Sequence, residues 1–510
     1  MEKSISIIGA GIAGLACGCY AQMNGYRSHI FELHSIPGGL CTSWKRHNYL
    51  FDGAIRYLSG THPQSKVHQL WQELGVLEGR QIHYYDEFER FEGTDGRTFI
   101  MYTDIDRLQA HMLDLAAQDR ETILDFVGAL RDFTEMELPV DITPGDPLEA
   151  LELGQSMMPV LMPVLRWRNV TIQEFAQRFQ DPLLREALPE FFQFARSDFP
   201  MMLLLTTLAN MNDREAGYPI GGSLRFAEDL AQRYLALGGK ISYKSRVTEI
   251  LVEPGKGLSP GNSQAVGVRL EDGSEHRSDI VISAADGHAT IFDLLQGRFL
   301  SPKIESYYRD LPIAHSILQI SLGVDLDFSN EPPAISFPLR QVIGLGNVWL
   351  DRLMLKHYSF DPTMAPPNKS VLSLWCEADY DYWKGLRTNR KQYRVAKQQV
   401  AAKVIAALDE RYPGLASKVE VTDVATPVTY ERYTANWRGA FAGWALTTQK
   451  MGMMMGGGMK KTLPRLDDFY MIGQWVEPGG NVELSAASGR DVIKDICKEQ
   501  GQPFKTGADQ

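Results

Sequence analysis

Three glycines near the N-terminus constrain this chain more than any other feature. Gly9, Gly11 and Gly14 follow a short apolar run at 4–8 and open a helix-like run. In a strand–turn–helix unit, the first two glycines permit a tight turn and close approach of backbone to a pyrophosphate, and the third lets the helix pack on the strand. A second strand-like run at 28–32 follows, so the sequence predicts a β-α-β dinucleotide-binding unit.

The helix after this turn and the acid after the second strand complete the pattern. Ile12 and Ala13 lie in the predicted first helical turn, where backbone N–H groups and the helix dipole attract an anion. Glu32 stands about 20 residues beyond the glycines, where a carboxylate accepts hydrogen bonds from ribose hydroxyls. The alternative interpretation is a glycine turn beside a surface glutamate. The agreement of strand, helix and acid favours dinucleotide binding.

A second glycine doublet distinguishes a flavin nucleotide from a simple nicotinamide nucleotide. Gly38 and Gly39 follow soon after Glu32, and a Leu-Phe-Asp-Gly-Ala element comes at 50–54. An NAD dehydrogenase does not need a further close approach of backbone here. A longer flavin nucleotide needs one near its ribityl and ring ends. These two elements therefore favour FAD over NAD.

Taken in order, these elements resemble the N-terminal fingerprint of the FAD-containing phytoene desaturase, carotenoid isomerase and retinol saturase group, within the amine-oxidase-like superfamily. That fingerprint joins the glycine motif, the acid and the doublet to a Phe-Asp-x-Gly element, here at 51–54. Leu40 stands where many superfamily members have a basic residue, and Ala54 stands where the last glycine is usual. The resemblance implies FAD as the cofactor, with backbone contacts rather than a side-chain contact at Leu40.

A glycine-rich turn near the C-terminus resembles the second flavin-binding element of the same families. It consists of a strand ending in glycine, a Pro-Gly-Gly turn at 478–480 and a helix. Such a turn presents N–H groups, and the helix dipole stabilises negative charge on a reduced flavin. The resemblance also implies that backbone at Val247 faces the adenine. The cofactor contacts that it implies in the C-terminal element are Gly473, Gln474, Gly479, Gly480, Asn481 and Val482.

The order of these segments predicts an α/β fold with a Rossmann-like FAD-binding domain and a mixed α+β substrate-binding domain. The FAD-binding domain is expected to be discontinuous and built from 1–67, 215–300 and 430–510. The substrate-binding region is expected to comprise 68–214, where helical periodicity dominates, and 301–429, which mixes strands with one long helix.

Few side chains indicate catalysis, because a flavin carries the hydride chemistry itself. Arg56 follows the Phe-Asp-Gly-Ala element, where the superfamily chain passes the flavin ring, and is a candidate for stabilising a charged intermediate or a reduced flavin. Glu477, in the C-terminal turn, is a second catalytic candidate. The alternative interpretations are a structural ion pair for Arg56 and a solvated turn acid for Glu477.

Composition and spacing exclude several other classes of protein. Fifty-two Lys and Arg against 63 Asp and Glu give a net charge of −11, which disfavours nucleic-acid binding. The His and Cys residues show no metal-ligand spacing, so no metal site is predicted. The five cysteines form no paired motif and no secretory signal is recognised, so we expect reduced thiols and a cytoplasmic protein. The oligomeric state is not set by the sequence.

The resemblance implies an FAD-dependent oxidoreductase that acts on carbon–carbon bonds of an apolar polyene, isoprenoid or lipid-like substrate by hydride exchange at flavin N5. Desaturation, saturation and cis-trans isomerisation all remain open. Apolar runs at 157–165 and 201–205 are too short to span a bilayer and suggest peripheral membrane contact. One alternative is a flavin-free lipid-binding escort resembling Rab GDP-dissociation inhibitors. Another is a flavin amine oxidase, whose aromatic cage would draw on Trp437, Trp444 and Trp475.

Overall fold

The computed structural model describes residues 3–136, 158–192, 197–255, 261–448, 459–477 and 479–507. At its centre lies a five-stranded sheet in which every neighbouring pair is parallel. The strands come from the N-terminal, middle and C-terminal parts of the chain, and their carboxyl ends meet at one edge. Their spatial order is Lys240–Ser242, Arg27–Phe31, Ser4–Ile8, Ile280–Ser283 and Phe469–Met471.

Helices cover one face of the parallel sheet and a second sheet covers the other. The three helices are Ile12–Met23, Gly222–Ala236 and Val482–Glu499. Two of them pack so closely that a Cβ atom on Gly489 would lie 2.5 Å from the carbonyl oxygen of Ala13. This α/β arrangement confirms the predicted fold class. The covering sheet consists of Val247–Pro254, Ser263–Leu270, Glu275–Arg277 and Leu466–Asp467.

A seven-stranded mixed sheet forms the second half of the molecule. One of its faces packs against the long helix Arg390–Arg411 through a core of aliphatic side chains. Its strands, in spatial order, are Val419–Ala425, Ile317–Val324, Ser370–Glu377, Val348–His357, Ala334–Leu345, Glu87–Glu92 and Thr98–Tyr102.

Two of these strands lie within 68–214, where the sequence predicts mostly helices and does not predict strands. Glu87–Glu92 and Thr98–Tyr102 pair with each other, and the first also pairs in parallel with Ala334–Leu345. They are short, with charged residues between their apolar ones, so a helical period fits their sequence about as well as a strand period. Among the described residues of this region, helices follow that share one apolar core: Ile105–Leu115, Arg120–Thr134, Met158–Trp167, Ile172–Ala176, Pro182–Glu190 and Met201–Asn212.

Short elements join the two halves. A hairpin of Ser43–Arg46 and Tyr49–Asp52 follows the glycine doublet. Leu58–Ser59 and Ile82–His83 both pair with Ala216–Pro219. None of the helices in the described ranges is long and apolar enough to cross a membrane. The remaining helices are His68–Leu74, Ala289–Leu294, Pro302–Asp310, Tyr380–Arg387 and Pro427–Thr434.

Candidate functional site

A cavity of about 1070 Å³ is lined by residues of both halves. Pockets for small ligands typically measure about 300–1,000 Å³, so this cavity has room for a large ligand or for two. We call the part formed by the parallel-sheet half, from the N-terminal glycine turn to Val247, the nucleotide side. We call the cavity-facing residues of the seven-stranded sheet, Ile317, Lys356 and Trp375, the sheet wall.

The three N-terminal glycines have different structural roles. Gly9 has a φ of +97°, a conformation that L side chains rarely adopt. A Cβ atom on Gly14 would overlap the carbonyl oxygen of Gly9, so only glycine lets the helix start this close to the strand. Gly11 has an ordinary φ of −70°, and the nearest atom to an added Cβ is 4.0 Å away. The fold therefore requires Gly9 and Gly14, whereas Gly11 leaves space that opens on the cavity.

The first turn of helix Ile12–Met23 faces the cavity without a side-chain cap. Gly11 is the N-cap residue and offers no side chain to accept from the first N–H groups. Gly9, Gly11, Ile12 and Ala13 all line the cavity, whereas Gly14 lies behind them. Uncapped N–H groups at the positive end of a helix form an anion-binding site.

The glycine doublet is bound directly to this turn. The Gly38 N–H donates to the carbonyl oxygen of Ala10 at 2.8 Å. Gly38 and Gly39 have φ values of +108° and +62°, and an added Cβ on Gly39 would lie 3.4 Å from Cα of Gly11. The two glycine elements therefore form one backbone surface. Leu40 continues it and also lines the cavity, half-buried.

Glu32 links the second strand to the glycine turn. Its Oε2 accepts from the Ala10 N–H at 2.6 Å, and its Oε1 accepts from the His34 N–H at 2.7 Å. Burial raises the pKa of this carboxyl, and the two N–H donors oppose the increase. Glu32 lines the cavity, as does Val247 from the neighbouring sheet. A carboxylate held in this way has lone pairs left for ribose hydroxyls.

Asp52 positions the segment that carries Arg56, a role that sequence reasoning did not assign to it. It is buried, and its oxygens accept from the Ser223 N–H at 2.7 Å, the Ser223 hydroxyl at 2.6 Å and the Ala54 N–H at 3.0 Å. Ser223 Oγ in turn accepts from the Ile55 N–H at 2.8 Å. The Phe-Asp-Gly-Ala element therefore ties the loop before Arg56 to the helix Gly222–Ala236.

The C-terminal element meets the same cavity. The Gly473 N–H donates to Ser488 Oγ at 2.9 Å, and an added Cβ on Gly473 would lie 3.4 Å from Cβ of Ala13. Asn481 caps the last helix by accepting from the Leu484 N–H at 2.9 Å. Pro478 lies outside the described residues. The predicted residues that line the cavity here are Gly473, Gln474, Gly479, Gly480, Asn481 and Val482.

The two catalytic candidates lie in different places. Arg56 lines the cavity and forms an ion pair with Glu89, Nη2 to Oε2, at 2.8 Å. Its guanidinium also lies 3.8 Å from the centre of the Phe88 ring. Glu477 is absent from the described cavity lining and pairs instead with Lys461 at 3.2 Å. A role for Glu477 at a flavin ring therefore stays a prediction, because Glu477 does not line the cavity as described.

The sheet wall follows from strand alternation, which the motifs could not indicate. Leu318, Leu355 and Leu374 point toward the long helix, so the neighbouring side chains point to the opposite face. Those neighbours are Ile317, Lys356 and Trp375. A strand-by-strand alternation count could have found this face, but it could not have shown that the face meets Arg56.

Comparison with known proteins agrees with the architecture. A family model described as an NAD(P)-binding Rossmann-like domain matches residues 7–74. The prolycopene isomerase of Arabidopsis thaliana is 26% identical, covering 98% of this chain and 83% of that protein. A lycopene-forming phytoene desaturase of a Paracoccus species is 23% identical, covering 97% of this chain and 98% of that protein. The chain is a relative of these carotenoid enzymes. The resemblance recognised from its motifs is confirmed.

The fold of this chain is also found in amine oxidases. The solved structure of cyclohexylamine oxidase from Brevibacterium oxydans superposes with a TM-score of 0.60 at 12% identity, covering 98% of this chain and all of that chain. At this identity the likeness concerns the fold alone. Trp444 and Trp475 do line the cavity, whereas Trp437 stacks on His288 with ring centres 4.6 Å apart.

The residues present fit a flavin-type dinucleotide cofactor. An uncapped helix N-terminus, open space at Gly11 and an acid beside the turn suit the pyrophosphate and ribose of a dinucleotide. The lining continues past Gly39 to Gly473 and Arg56, which leaves room for a ring system beyond the nucleotide. Within the described part of the chain no group of three His, Cys, Asp or Glu side chains could hold a metal ion.

Proposed function

We propose that the chain is an FAD-dependent oxidoreductase that acts on carbon–carbon bonds of an apolar polyene, isoprenoid or other lipid-like substrate. One observation carries the proposal: a single cavity joins an uncapped helix N-terminus to the sheet wall. The full-length likeness to carotenoid isomerases and desaturases supports the substrate class. Desaturation, saturation and cis-trans isomerisation are three outcomes of the same chemistry.

The residues that would hold FAD follow from the geometry. Gly11, Ile12 and Ala13 would bind the pyrophosphate, Glu32 the ribose, and the segment at Val247 the adenine. Gly39 and the C-terminal turn would lie along the ribityl chain and ring. When bound, the flavin supplies a two-electron acceptor or donor at N5.

The chain itself orients the reactants and sets the electrostatics. Arg56 is placed by Asp52 and Ser223, and Glu89 holds its guanidinium at the cavity surface. A fixed cation beside apolar cavity walls stabilises negative charge more strongly than it would in bulk water. The apolar wall around it, including Phe192, would hold a hydrocarbon chain by burial alone.

The experiment is an anaerobic reaction of the FAD-loaded protein with phytoene or with prolycopene, followed by chromatography and flavin absorbance. Phytoene converted with loss of flavin colour indicates desaturation. Prolycopene converted to another lycopene isomer without net flavin reduction indicates isomerisation. A protein that retains FAD but converts neither probe would contradict the substrate class, and a protein that retains no FAD would contradict the function itself.

The two alternative functions have less support. The amine oxidases share the fold at low identity, whereas the relatives similar in sequence over the full length are carotenoid enzymes. A flavin-free lipid escort would not need the open space at Gly11 or the positive φ at Gly38. Oxidation of benzylamine by the loaded protein would revive the amine oxidase alternative.

We further propose that the protein is cytoplasmic and touches a membrane through helix Met158–Trp167. Leu161, Met162 and Leu165 are 44%, 70% and 45% exposed on this helix, beside the cations Arg166 and Arg168. Replacing the three apolar residues with Ser should release the protein from liposomes in a flotation assay. Unchanged flotation would contradict the proposal.

The second apolar run, 201–205, corrects the membrane expectation. Met201, Leu204 and Leu205 are fully buried in the helical core, and Leu203 lines the cavity. Residue 157 of the first run lies outside the described residues. The run at 201–205 therefore contributes to the core and the cavity rather than to a membrane contact.

A further inference from the structure

A buried lysine without a hydrogen-bond partner faces the cavity. Lys356 lies on strand Val348–His357, is 9% exposed and lines the cavity next to Arg56. Within the described residues its Nζ has no hydrogen bond and no ion pair; its contact is with the Trp375 ring, whose centre lies 4.9 Å away. Buried polar groups almost always have a partner, so an unpaired one in a cavity wall indicates a ligand or a reacting group.

The neighbouring charges favour the neutral amine. Arg56 and Glu89 act on Lys356, and Glu89 already pairs with Arg56 at 2.8 Å. Burial lowers the pKa of Lys356 well below its usual range, the Arg56 cation lowers it further, and the Glu89 carboxylate partly opposes both. A neutral amine in an apolar cavity can accept a proton.

We propose that Lys356 is the catalytic acid–base residue that exchanges the proton with the substrate carbon. The proposal rests on the proposed function, because transfer of hydride to or from a carbon–carbon bond needs a proton partner. It names a residue that neither the glycine motifs nor the C-terminal element indicates.

The atoms and electrons balance in both directions. In desaturation, one C–H bond would break and its electron pair would leave as hydride, for which FAD held at the glycine turns would be the two-electron acceptor. The adjacent C–H bond breaks, its electrons form the C=C bond, and its proton goes to the lone pair of Lys356 Nζ. In saturation, Lys356 Nζ would take a proton from water and pass it to one carbon, while reduced FAD would supply hydride to the other carbon.

Other titratable groups in this part of the lining are engaged. The Tyr57 hydroxyl is 3.0 Å from Thr207 Oγ1, and the Glu483 carboxylate accepts from the Ser59 N–H at 2.5 Å. His315 is the alternative candidate: its Nδ1 pairs with Glu377 at 2.8 Å, and its buried Nε2 has no hydrogen-bond partner among the described residues. The test therefore compares Lys356 with His315.

The first experiment measures flavin reduction by phytoene, or isomerisation of prolycopene, in FAD-loaded protein as a function of pH. Lys356→Ala should lower kcat by about 10²–10⁴-fold, the range for a general acid or base, with little change in KM. Propylamine and related amines should restore part of the rate in the order of their pKa values. Lys403→Ala, which removes an exposed lysine whose Nζ donates to the Gly344 carbonyl oxygen, is the control and should keep the wild-type rate.

Three results would overturn the proposal. They are wild-type kcat in Lys356→Ala with unchanged KM, wild-type kcat with a raised KM, and, in flavin reduction by phytoene, loss of the acidic limb of the pH profile in His315→Gln rather than in Lys356→Ala. The FAD absorbance of each variant after gel filtration distinguishes a loss of catalytic rate from a loss of bound FAD.

A second measurement does not depend on activity. Competitive acetylation across a pH series, read by mass spectrometry, compares Lys356 with the exposed Lys45 in the same digest. The proposal predicts a midpoint for Lys356 at lower pH than that of Lys45, and an equal midpoint would overturn it. If the wild-type protein binds FAD but converts neither probe, the proposed function fails, while this measurement still decides whether Lys356 is the neutral base.

Discussion

The nucleotide side and the sheet wall of the cavity are built in different ways. On the nucleotide side the surface is backbone, shaped by Gly9 and Gly38 in positive-φ conformations, and Glu32 is held by two N–H donors. On the sheet wall the surface consists of side chains, and Lys356 faces the cavity with no hydrogen bond or ion pair to the described part of the chain. Under the proposed function, the nucleotide side would hold the cofactor in one position, and the sheet wall would supply the groups that react.

The largest expected loss of stability comes from substituting a glycine of the N-terminal turn. Gly14→Ala places a Cβ atom against the Gly9 carbonyl oxygen, where backbone cannot move without separating helix from strand. We expect a loss above about 4 kcal/mol in the free energy of unfolding, measured by urea titration. Gly11→Ala, with open space at its Cβ, should cost less than about 1 kcal/mol because Gly11 has an ordinary φ. Equal losses for the two variants would contradict the distinction.

The second expected effect is the loss of stability when one buried ion pair is broken in each half of the molecule. Arg490 and Glu73, behind the glycine turn, have side chains 5% and 2% exposed and are joined at 2.8 Å. Arg490→Met leaves Glu73 uncompensated and should cost about 3–5 kcal/mol. Glu89→Gln beside the more exposed Arg56 should cost less, because cavity water can solvate the guanidinium. Unfolding of both variants in guanidinium chloride measures the two losses in free energy of unfolding. A larger loss for Glu89→Gln than for Arg490→Met would contradict this expectation.

A third expected effect is a pH dependence of stability at Asp286, on the nucleotide side. Burial raises the pKa of this carboxyl to about 7, although it accepts from the Trp437 and Ala289 N–H groups. Because the folded-state pKa lies above the unfolded one, the contribution to stability is complete below about pH 4 and is lost as pH rises through 7. The slope is about 1.4 kcal/mol per pH unit. Asp286→Asn should remove this slope from unfolding measured between pH 4 and 8, and an unchanged slope would contradict the assignment.

The same contrast explains what the sequence could predict. Gly9, Gly14 and Gly38 are required by local backbone geometry, so they appear as a motif at fixed spacing. The fold class and the likeness to carotenoid enzymes followed from such motifs at the two ends of the chain. The predicted cofactor contacts lie along one cavity apart from Gly14, which acts behind it.

The sheet wall could not be predicted in the same way. Lys356 and Trp375 lie on two consecutive strands that pair in register, whereas Arg56 comes from a loop near the N-terminus. A single lysine in an apolar strand carries no motif. Strands Glu87–Glu92 and Thr98–Tyr102 were missed for a related reason: their pairing with Ala334–Leu345 is decided by tertiary contacts rather than by local periodicity.

Flavin retention by Gly11→Val tests the central claim most directly. The structure has open space at the Gly11 Cβ, so the variant should fold, while its side chain would occupy the space where the pyrophosphate meets the helix N-terminus. After reconstitution with FAD and gel filtration, we expect the wild-type protein to be yellow and the folded variant to be colourless. A colourless wild type, or a variant as yellow as the wild type, would contradict the placement of FAD in this cavity.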